Sequence, residues 1–187
     1  MREAAGTAAD IRMAMPRPVT GSAVDPIMVE PVDEVVLATL VDNVYDALLD
    51  GDETVKTSPF SAGTAEAPQF ESGVTTIGLM AERGFSALVT VRRGSTATSI
   101  LFDTGLSPDA MVTNARPLGI DLAGVHALVL SHGHFDHAGG LPGLATVAAP
   151  KCCRFLCIRW HGRAEALVVH IRDKGLVVVT GCGRPVP

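Results

Sequence analysis

Three histidines and an aspartate lie close together between residues 131 and 140, in the sequence Ser-His-Gly-His-Phe-Asp-His-Ala-Gly-Gly. The four side chains are His132, His134, Asp136 and His137. An imidazole offers a metal ion a neutral nitrogen donor, and a carboxylate offers an anionic oxygen. A packed core has no use for so many polar donors in one short stretch. Their density therefore predicts a metal site.

The spacing of these donors assigns them to a loop that leaves a buried strand. Residues 125–130 are mostly apolar and predict that strand. Because side chains alternate along an extended chain, His132 and His134 project to the same side and can share one ion. Asp136 and His137 can serve a second ion close by. Two adjacent divalent ions lower the pKa of a bound water and polarise a substrate oxygen, which is the chemistry of hydrolysis.

The alternative for residues 131–140 is a solvated loop that is rich in histidine by chance. The remaining histidines each stand alone among apolar or basic residues. We therefore predict structural or surface positions, and no metal ion, for His126, His161 and His170.

The pattern HxHxDH after an apolar strand resembles the metallo-β-lactamase superfamily. Further segments are similar to one branch of it, which is named for the dihydropterin-aminobenzene ribofuranosyl phosphate synthase of methanopterin assembly. These segments are residues 40–43, 81–88, 100–105, 114–115, 118–122 and 175–182. The resemblance implies an α/β fold, the four-layered metallo-β-lactamase-like α/β/β/α sandwich, with its metal site at the edge of a sheet.

The resemblance also implies roles for two residues outside the histidine loop. Asp103 follows the strand at residues 100–102, where the superfamily uses an acid to support ligand histidines through hydrogen bonds. A turn-forming aspartate, bonded to local backbone amides, is the alternative. Cys182 stands where the superfamily often has an acidic or thiol metal ligand, and burial as a small apolar residue is its alternative. We expect the other cysteines to be reduced thiols, namely Cys152, Cys153 and Cys157.

The chain departs from the family near its end. Only 33 residues separate the Gly-Gly-Leu motif at 139–141 from Gly175, where family members have a longer insertion. Residues 151–163 resemble nothing in the family and have the composition of a junction. Arg184 stands where the family has a histidine, and an arginine cannot ligate because it stays protonated. These departures predict a sandwich that is incomplete in its C-terminal half, a truncated or rearranged gene product, and impaired turnover.

Composition bounds the class of protein. The chain has 187 residues, of which 47% are hydrophobic and 19% charged, which predicts one domain with a core. The resemblance implies that residues 34–187 are a partial metallo-β-lactamase-like domain, and residues 1–33 predict a mobile tail. The net charge of -5 and the lack of a basic cluster argue against a nucleic-acid partner. The sequence has neither a long apolar span nor a signal-peptide core, so we expect no membrane partner and a cytoplasmic location.

Three functions remain open from the sequence. The first is a metal-dependent hydrolase acting on an ester, phosphoester or related bond of a small molecule, in which Asp136 holds a metal and orients the nucleophile. The second is a non-catalytic remnant that binds metal weakly or pairs its sheet with another chain, for example in a homo-oligomer. The third is dihydropterin transfer of the methanopterin type. We expect two zinc ions in an intact site, and iron and manganese accept the same donors.

The elements that must position the site are also predicted. Strands at 85–91 and 99–102 flank a turn at 92–95 and form a hairpin. Residues 51–72 predict a long loop. A helix is predicted from Ser107 to Pro117, with Ser107 as the N-cap and Pro108 in the first helical position.

Overall fold

The structure is a computed structural model that describes residues 28–44, 46, 48–57, 63–148, 154–157 and 166–181. Strands β1 to β5 span Glu34–Val41, Gly63–Glu66, Val74–Ile77, Ser86–Arg93 and Thr96–Phe102. Helix α1 (Ala110–Ala115), strand β6 (Ala127–Leu130) and helices α2 (Phe135–Ala138) and α3 (Leu141–Val147) follow. Strands β7 (Arg154–Cys157), β8 (Ala166–Ile171) and β9 (Gly175–Thr180) complete the described elements.

A five-stranded sheet in the order β1-β4-β5-β6-β7 forms the centre of the fold. Strands β1, β4 and β5 are antiparallel neighbours, whereas β5, β6 and β7 run parallel. Parallel pairing brings the carboxyl ends of β5 and β6 to one edge, with Phe102 beside Val129. Asp103 follows β5 and Ser131 follows β6, so these two residues, which are far apart in sequence, lie close together at this edge of the sheet.

The two faces of this sheet pack against different layers. Side chains alternate along each strand, so neighbouring residues enter opposite cores. Leu101 and Leu128 pack with Met111 of α1 and Leu144 of α3. On the other face, the core consists of Val89, Phe102, Val129 and Val179. The second core includes β9, so the β8–β9 hairpin forms a further β layer.

The predicted α/β fold is confirmed by this arrangement. The described residues supply a helical layer, the five-stranded sheet and the β8–β9 hairpin of a second β layer. A second helical layer is not found among them. Within the same residues, no helix has both the length and the apolar character needed to cross a membrane.

The predicted hairpin is confirmed, and its turn requires a residue that tolerates positive φ. Strands β4 and β5 pair in antiparallel register from Ala87 with Phe102 to Arg93 with Thr96. Gly94 has φ 57° in the turn between them. Strand β6 begins at Ala127, two residues later than predicted.

Two element predictions were wrong. The predicted helix does not begin at Ser107 and Pro108, because α1 spans only Ala110–Ala115 and its N-cap is Asp109. The Ser107 hydroxyl donates to the Glu82 carboxylate, so a tertiary contact orients the side chain that was predicted to cap the helix. The predicted loop at 51–72 contains β2, which pairs with β3.

The segment before β1 contacts the β8–β9 hairpin. Val32 N donates to His170 O at 2.8 Å, and Arg172 N donates to Val32 O at 2.9 Å. The Asp33 side chain accepts from Gly94 N at 2.7 Å and lies 3.2 Å from the Arg172 guanidinium. This segment therefore joins the β4–β5 turn to β8. Residues 1–27, the greater part of the predicted tail, lie outside the described residues.

Candidate metal centre

The loop after β6 is held against the loop after β5 by backbone contacts. Thr104 donates to the carbonyl oxygen of His137 through N at 2.8 Å and through Oγ1 at 3.0 Å. Gly139 N donates to Gly105 O at 2.9 Å. A Cβ on Gly139 would lie 1.8 Å from Leu106 O, so only glycine permits this close approach. Helix α2 is thereby placed at the sheet edge where Asp103 lies.

Three of the four predicted donors come together in this loop. His132 Nε2 and His134 Nδ1 are 2.9 Å apart. The ring centroids of His132 and His137 are 4.2 Å apart. His137 is buried, His132 and Asp136 are partly buried, and His134 is exposed. The charge of Asp136 acts on His132, so the carboxylate lies within electrostatic reach of the imidazole group.

Asp103 lies beneath these imidazoles and is fully buried, with φ 56°. Its Oδ2 is 2.7 Å from His137 Nδ1 and accepts from Ser131 Oγ at 2.6 Å. Its Oδ1 accepts from Ser131 N at 2.7 Å. These partners are distant in sequence, so the carboxylate does not serve a local turn, the alternative that the sequence left open.

The hydrogen bonds of Asp103 determine which histidine nitrogens carry protons. The Ser131 hydroxyl donates its only proton to Asp103. Its oxygen can therefore only accept in the contact with His132 Nδ1, 2.9 Å away. A carboxylate accepts only, and so His137 Nδ1 donates to Asp103. In the neutral rings, the Nε2 atoms of His132 and His137 therefore carry no proton.

The electrostatic environment favours the neutral form of His132. Burial lowers the pKa of His132 below its ordinary value, and the neighbouring His137 and His134 lower it further. Asp103 and Asp136 act in the opposite direction and only partly offset this effect. Because a metal ion binds neutral imidazole, a lowered pKa extends the pH range over which His132 can be a ligand.

The donor chemistry fits a divalent ion, although the described residues do not form a complete shell. Tetrahedral zinc holds two nitrogens about 3.3 Å apart, given Zn–N distances of about 2.0–2.1 Å, and His132 Nε2 and His134 Nδ1 are 2.9 Å apart. His134 Nδ1 donates to His132 Nε2 in the metal-free arrangement, so His134 would need its other tautomer to bind an ion through Nδ1. No group of three or more ligand side chains is positioned to hold an ion among the described residues. Cys182 and Arg184 lie outside them.

Two residues at the site were not identified from the sequence. Glu82 accepts from Leu106 N at 2.8 Å and from Ser107 N at 2.9 Å, and thereby holds the loop that follows Asp103. Ser131 connects Asp103 to His132. Both contacts bridge more than twenty positions of sequence, so no local pattern could indicate them.

The isolated histidines have backbone partners where they are described. His126 is exposed, and its Nδ1 accepts from Ser99 N at 3.3 Å. His170 Nδ1 lies 3.1 Å from Val29 O. These contacts agree with the structural or surface positions predicted for both. His161 lies outside the described residues, as do Cys152 and Cys153, and Cys157 is described only as backbone of β7.

Comparison with known proteins finds sequence similarity over the part of the chain that contains the site. Residues 82–151 match the family model of the Metallo-beta-lactamase superfamily. A curated relative from Methanocaldococcus jannaschii, 7,8-dihydropterin-6-methyl-4-(beta-D-ribofuranosyl)-aminobenzene-5'-phosphate synthase, is 36% identical over 63 residues, which are 34% of this chain and 21% of the relative. The match therefore spans about a fifth of that relative's length.

Solved structures show partial similarity. A metallo-beta-lactamase from Cronobacter sakazakii with a HARLDQ motif has 26% identity over 37% of this chain and 24% of its own, with a TM-score of 0.29. A quorum-quenching N-acyl homoserine lactone lactonase has 15% identity over 81% of this chain and 74% of its own, with a TM-score of 0.38. Residues 82–151, which contain Asp103 and the whole histidine loop, carry the sequence signature of the metallo-beta-lactamase superfamily.

Proposed function

We propose that this chain carries the metal-binding part of a hydrolase that cleaves an ester, phosphoester or related bond in a small molecule. The observation that carries the proposal is the buried Asp103 carboxylate, which is bonded to His137 directly and to His132 through Ser131. Metal-binding histidines are commonly oriented by such a carboxylate or hydroxyl on the other ring nitrogen. A histidine-rich surface loop has no need of a buried acid beneath it.

The proposed ligands are His132, His134, Asp136, His137 and Cys182, and zinc is the expected ion. Iron and manganese accept the same donors. A divalent ion held there would lower the pKa of a bound water and polarise a substrate oxygen. Asp103 and Ser131 would hold His132 and His137 with Nε2 unprotonated. Asp136, which is partly buried and precedes His137 in the chain, would accept a proton and orient the attacking water. The cytoplasm is the proposed compartment.

Transfer chemistry on a dihydropterin is a second candidate, and the identity with the M. jannaschii synthase favours it. The matched stretch covers 21% of that relative, so it supports a shared metal centre more directly than a shared substrate. One assay distinguishes the two candidate functions. A hydrolase acts on a lactone or phosphodiester without a second substrate, whereas a transferase consumes a pterin only when an acceptor is present.

The proposed hydrolysis is tested with the zinc-loaded, purified 187-residue chain on phosphodiester, thioester and lactone substrates. We expect slow turnover that a chelator abolishes and that Asp136→Asn lowers about 100-fold or more in kcat/KM, since a positioned proton acceptor contributes at least that much. Asp50→Asn, which alters an exposed carboxylate outside the site, is the matched control and should have no effect.

Absence of chelator-sensitive turnover, together with one or no tightly bound ion per chain, would favour a non-catalytic remnant. That alternative includes pairing of the sheet with another chain. Turnover that survives Asp136→Asn unchanged would contradict the role proposed for Asp136.

A further inference from the structure

Gly181 follows β9. It lies, on the side of the second β layer, against the hydrogen bonds that join Asp103, Ser131 and His132. A Cβ on Gly181 would lie 2.1 Å from Ser131 Oγ and 2.6 Å from Ser131 Cβ. Val179, two residues earlier, packs with Phe102 and Val129, and these residues precede Asp103 and Ser131 closely in sequence. The packing of β9 therefore brings the Gly181 backbone against Ser131.

Steric room, and not backbone conformation, is what requires glycine here. Gly181 is not among the described glycines with positive φ, so its backbone would accept another residue. The obstacle is Ser131, which cannot move away at low cost. Ser131 is fully buried, its N donates to Asp103 Oδ1 at 2.7 Å, and its Oγ donates to Asp103 Oδ2 at 2.6 Å.

Displacing Ser131 Oγ would change His132. The hydroxyl oxygen lies 2.9 Å from His132 Nδ1 and is the acceptor that keeps the proton on that nitrogen. Without it, His132 could exchange between its two neutral tautomers, and Nε2 would be unprotonated for only part of the time. A side chain at position 181 would therefore alter the tautomer of His132 indirectly, by displacing Ser131.

We propose that Gly181 is a positioning residue: because it has no side chain, Ser131 Oγ can lie between Asp103 and His132, and this keeps His132 Nε2 unprotonated and so able to bind a metal. The inference rests on the proposed function only in taking His132 as a metal ligand. It assigns the β8–β9 hairpin a part in the site: the end of β9 supports the histidine loop across the sheet edge.

The test compares five full-length proteins: wild type, Gly181→Ala, Ser131→Gly, the double variant and Gly124→Ala. Gly124 is the matched control, because a Cβ there would meet only Asp121 Oδ2, at an ordinary 3.6 Å. The protonation of each histidine nitrogen is measured by long-range proton–nitrogen NMR on metal-free protein. Zinc affinity is measured by competition with a chelator.

We expect wild type and Gly124→Ala to show His132 protonated at Nδ1. Gly181→Ala should lose that preference at His132 while His137, bonded directly to Asp103, keeps its own. Zinc should bind about 10- to 100-fold more weakly, as when other supports of a metal ligand are removed. The double variant should bind zinc no more weakly than Ser131→Gly, because both changes act through one group.

An unchanged His132 tautomer in Gly181→Ala would overturn the proposal. It would also be overturned if the losses of zinc affinity in the two single variants multiply in the double variant. If Gly181→Ala does not fold, the double variant decides: folding like Ser131→Gly places the collision at Ser131, and failure to fold contradicts it. Since the NMR readout uses metal-free protein, it stands even if the wild type proves to have no hydrolytic activity.

Discussion

His137 Nδ1 lies 2.7 Å from Asp103 Oδ2, and both side chains are buried. The two residues are 34 positions apart and meet because β5 and β6 are parallel neighbours whose carboxyl ends share one edge. The same carboxylate receives two bonds from Ser131. A single buried acid therefore organises both ends of the histidine loop.

Asp103→Asn should weaken zinc binding about 10- to 100-fold. The amide nitrogen would face donors in either orientation: His137 Nδ1 and Ser131 Oγ in the place of Oδ2, or Ser131 N in the place of Oδ1. At least one buried hydrogen bond would be left unmade, at a cost of about 1–3 kcal/mol in unfolding free energy. Asparagine tolerates the positive φ of this residue, so backbone strain does not confuse the result. Chelator competition and urea unfolding measure the two effects.

The control for this change is Asp121→Asn. Asp121 accepts from Ala123 N at the start of a short 3-10 turn, a role that asparagine performs equally well. It should leave zinc affinity and stability unchanged. Equal zinc affinity in wild type and Asp103→Asn would show that the carboxylate does not support the ligands.

Gly84→Ala should destabilise the protein by displacing the backbone of the histidine loop at Asp136. A Cβ on Gly84 would lie 1.9 Å from Asp136 O, and φ at Gly84 is 107°. We expect it to be about 2 kcal/mol less stable than Gly73→Ala, because overpacking adds to backbone strain. Gly73 is the matched control, since it also has positive φ, 68°, but no atom within 4 Å of its Cβ position. Similar unfolding free energies in the two variants would contradict the close packing.

Acid should weaken the contact between the pre-β1 segment and the β8–β9 hairpin. The Gly94 N–H, followed by the Arg172 side chain, holds the pKa of Asp33 below its ordinary value of 3.8. A lowered folded-state pKa contributes stability above that value, and the contribution is lost as pH falls through the folded-state pKa. Asp33→Asn should therefore lower stability near neutral pH and reduce its loss in acid.

Urea unfolding between about pH 3 and pH 7 measures this effect, across the range where carboxylates titrate. Glu71→Gln, an exposed carboxylate before β3, serves as the control. An Asp33→Asn protein with the same acid sensitivity as wild type would show that the contact adds nothing to stability.

The sequence predicted the parts of the fold that depend on local pattern. Apolar runs predicted β6 and the β4–β5 hairpin, because periodicity and turn glycines act within a few residues. It could not predict the start of α1, since Ser107 is bonded to Glu82, 25 positions away. Nor could it indicate Ser131 or Gly181, whose importance comes from contacts between strands that are distant in sequence.

The central claim is that the histidine loop binds metal, and the zinc held per chain by His132→Ala, His134→Ala and His170→Ala tests it most directly. Equilibrium dialysis followed by metal analysis gives this quantity for each purified full-length variant and for wild type. We predict that His132→Ala and His134→Ala each lose most of the bound zinc, whereas His170→Ala, whose imidazole lies against Val29 O, retains it. Equal losses in all three variants, or zinc retained at the wild-type level by His132→Ala and His134→Ala, would contradict the account.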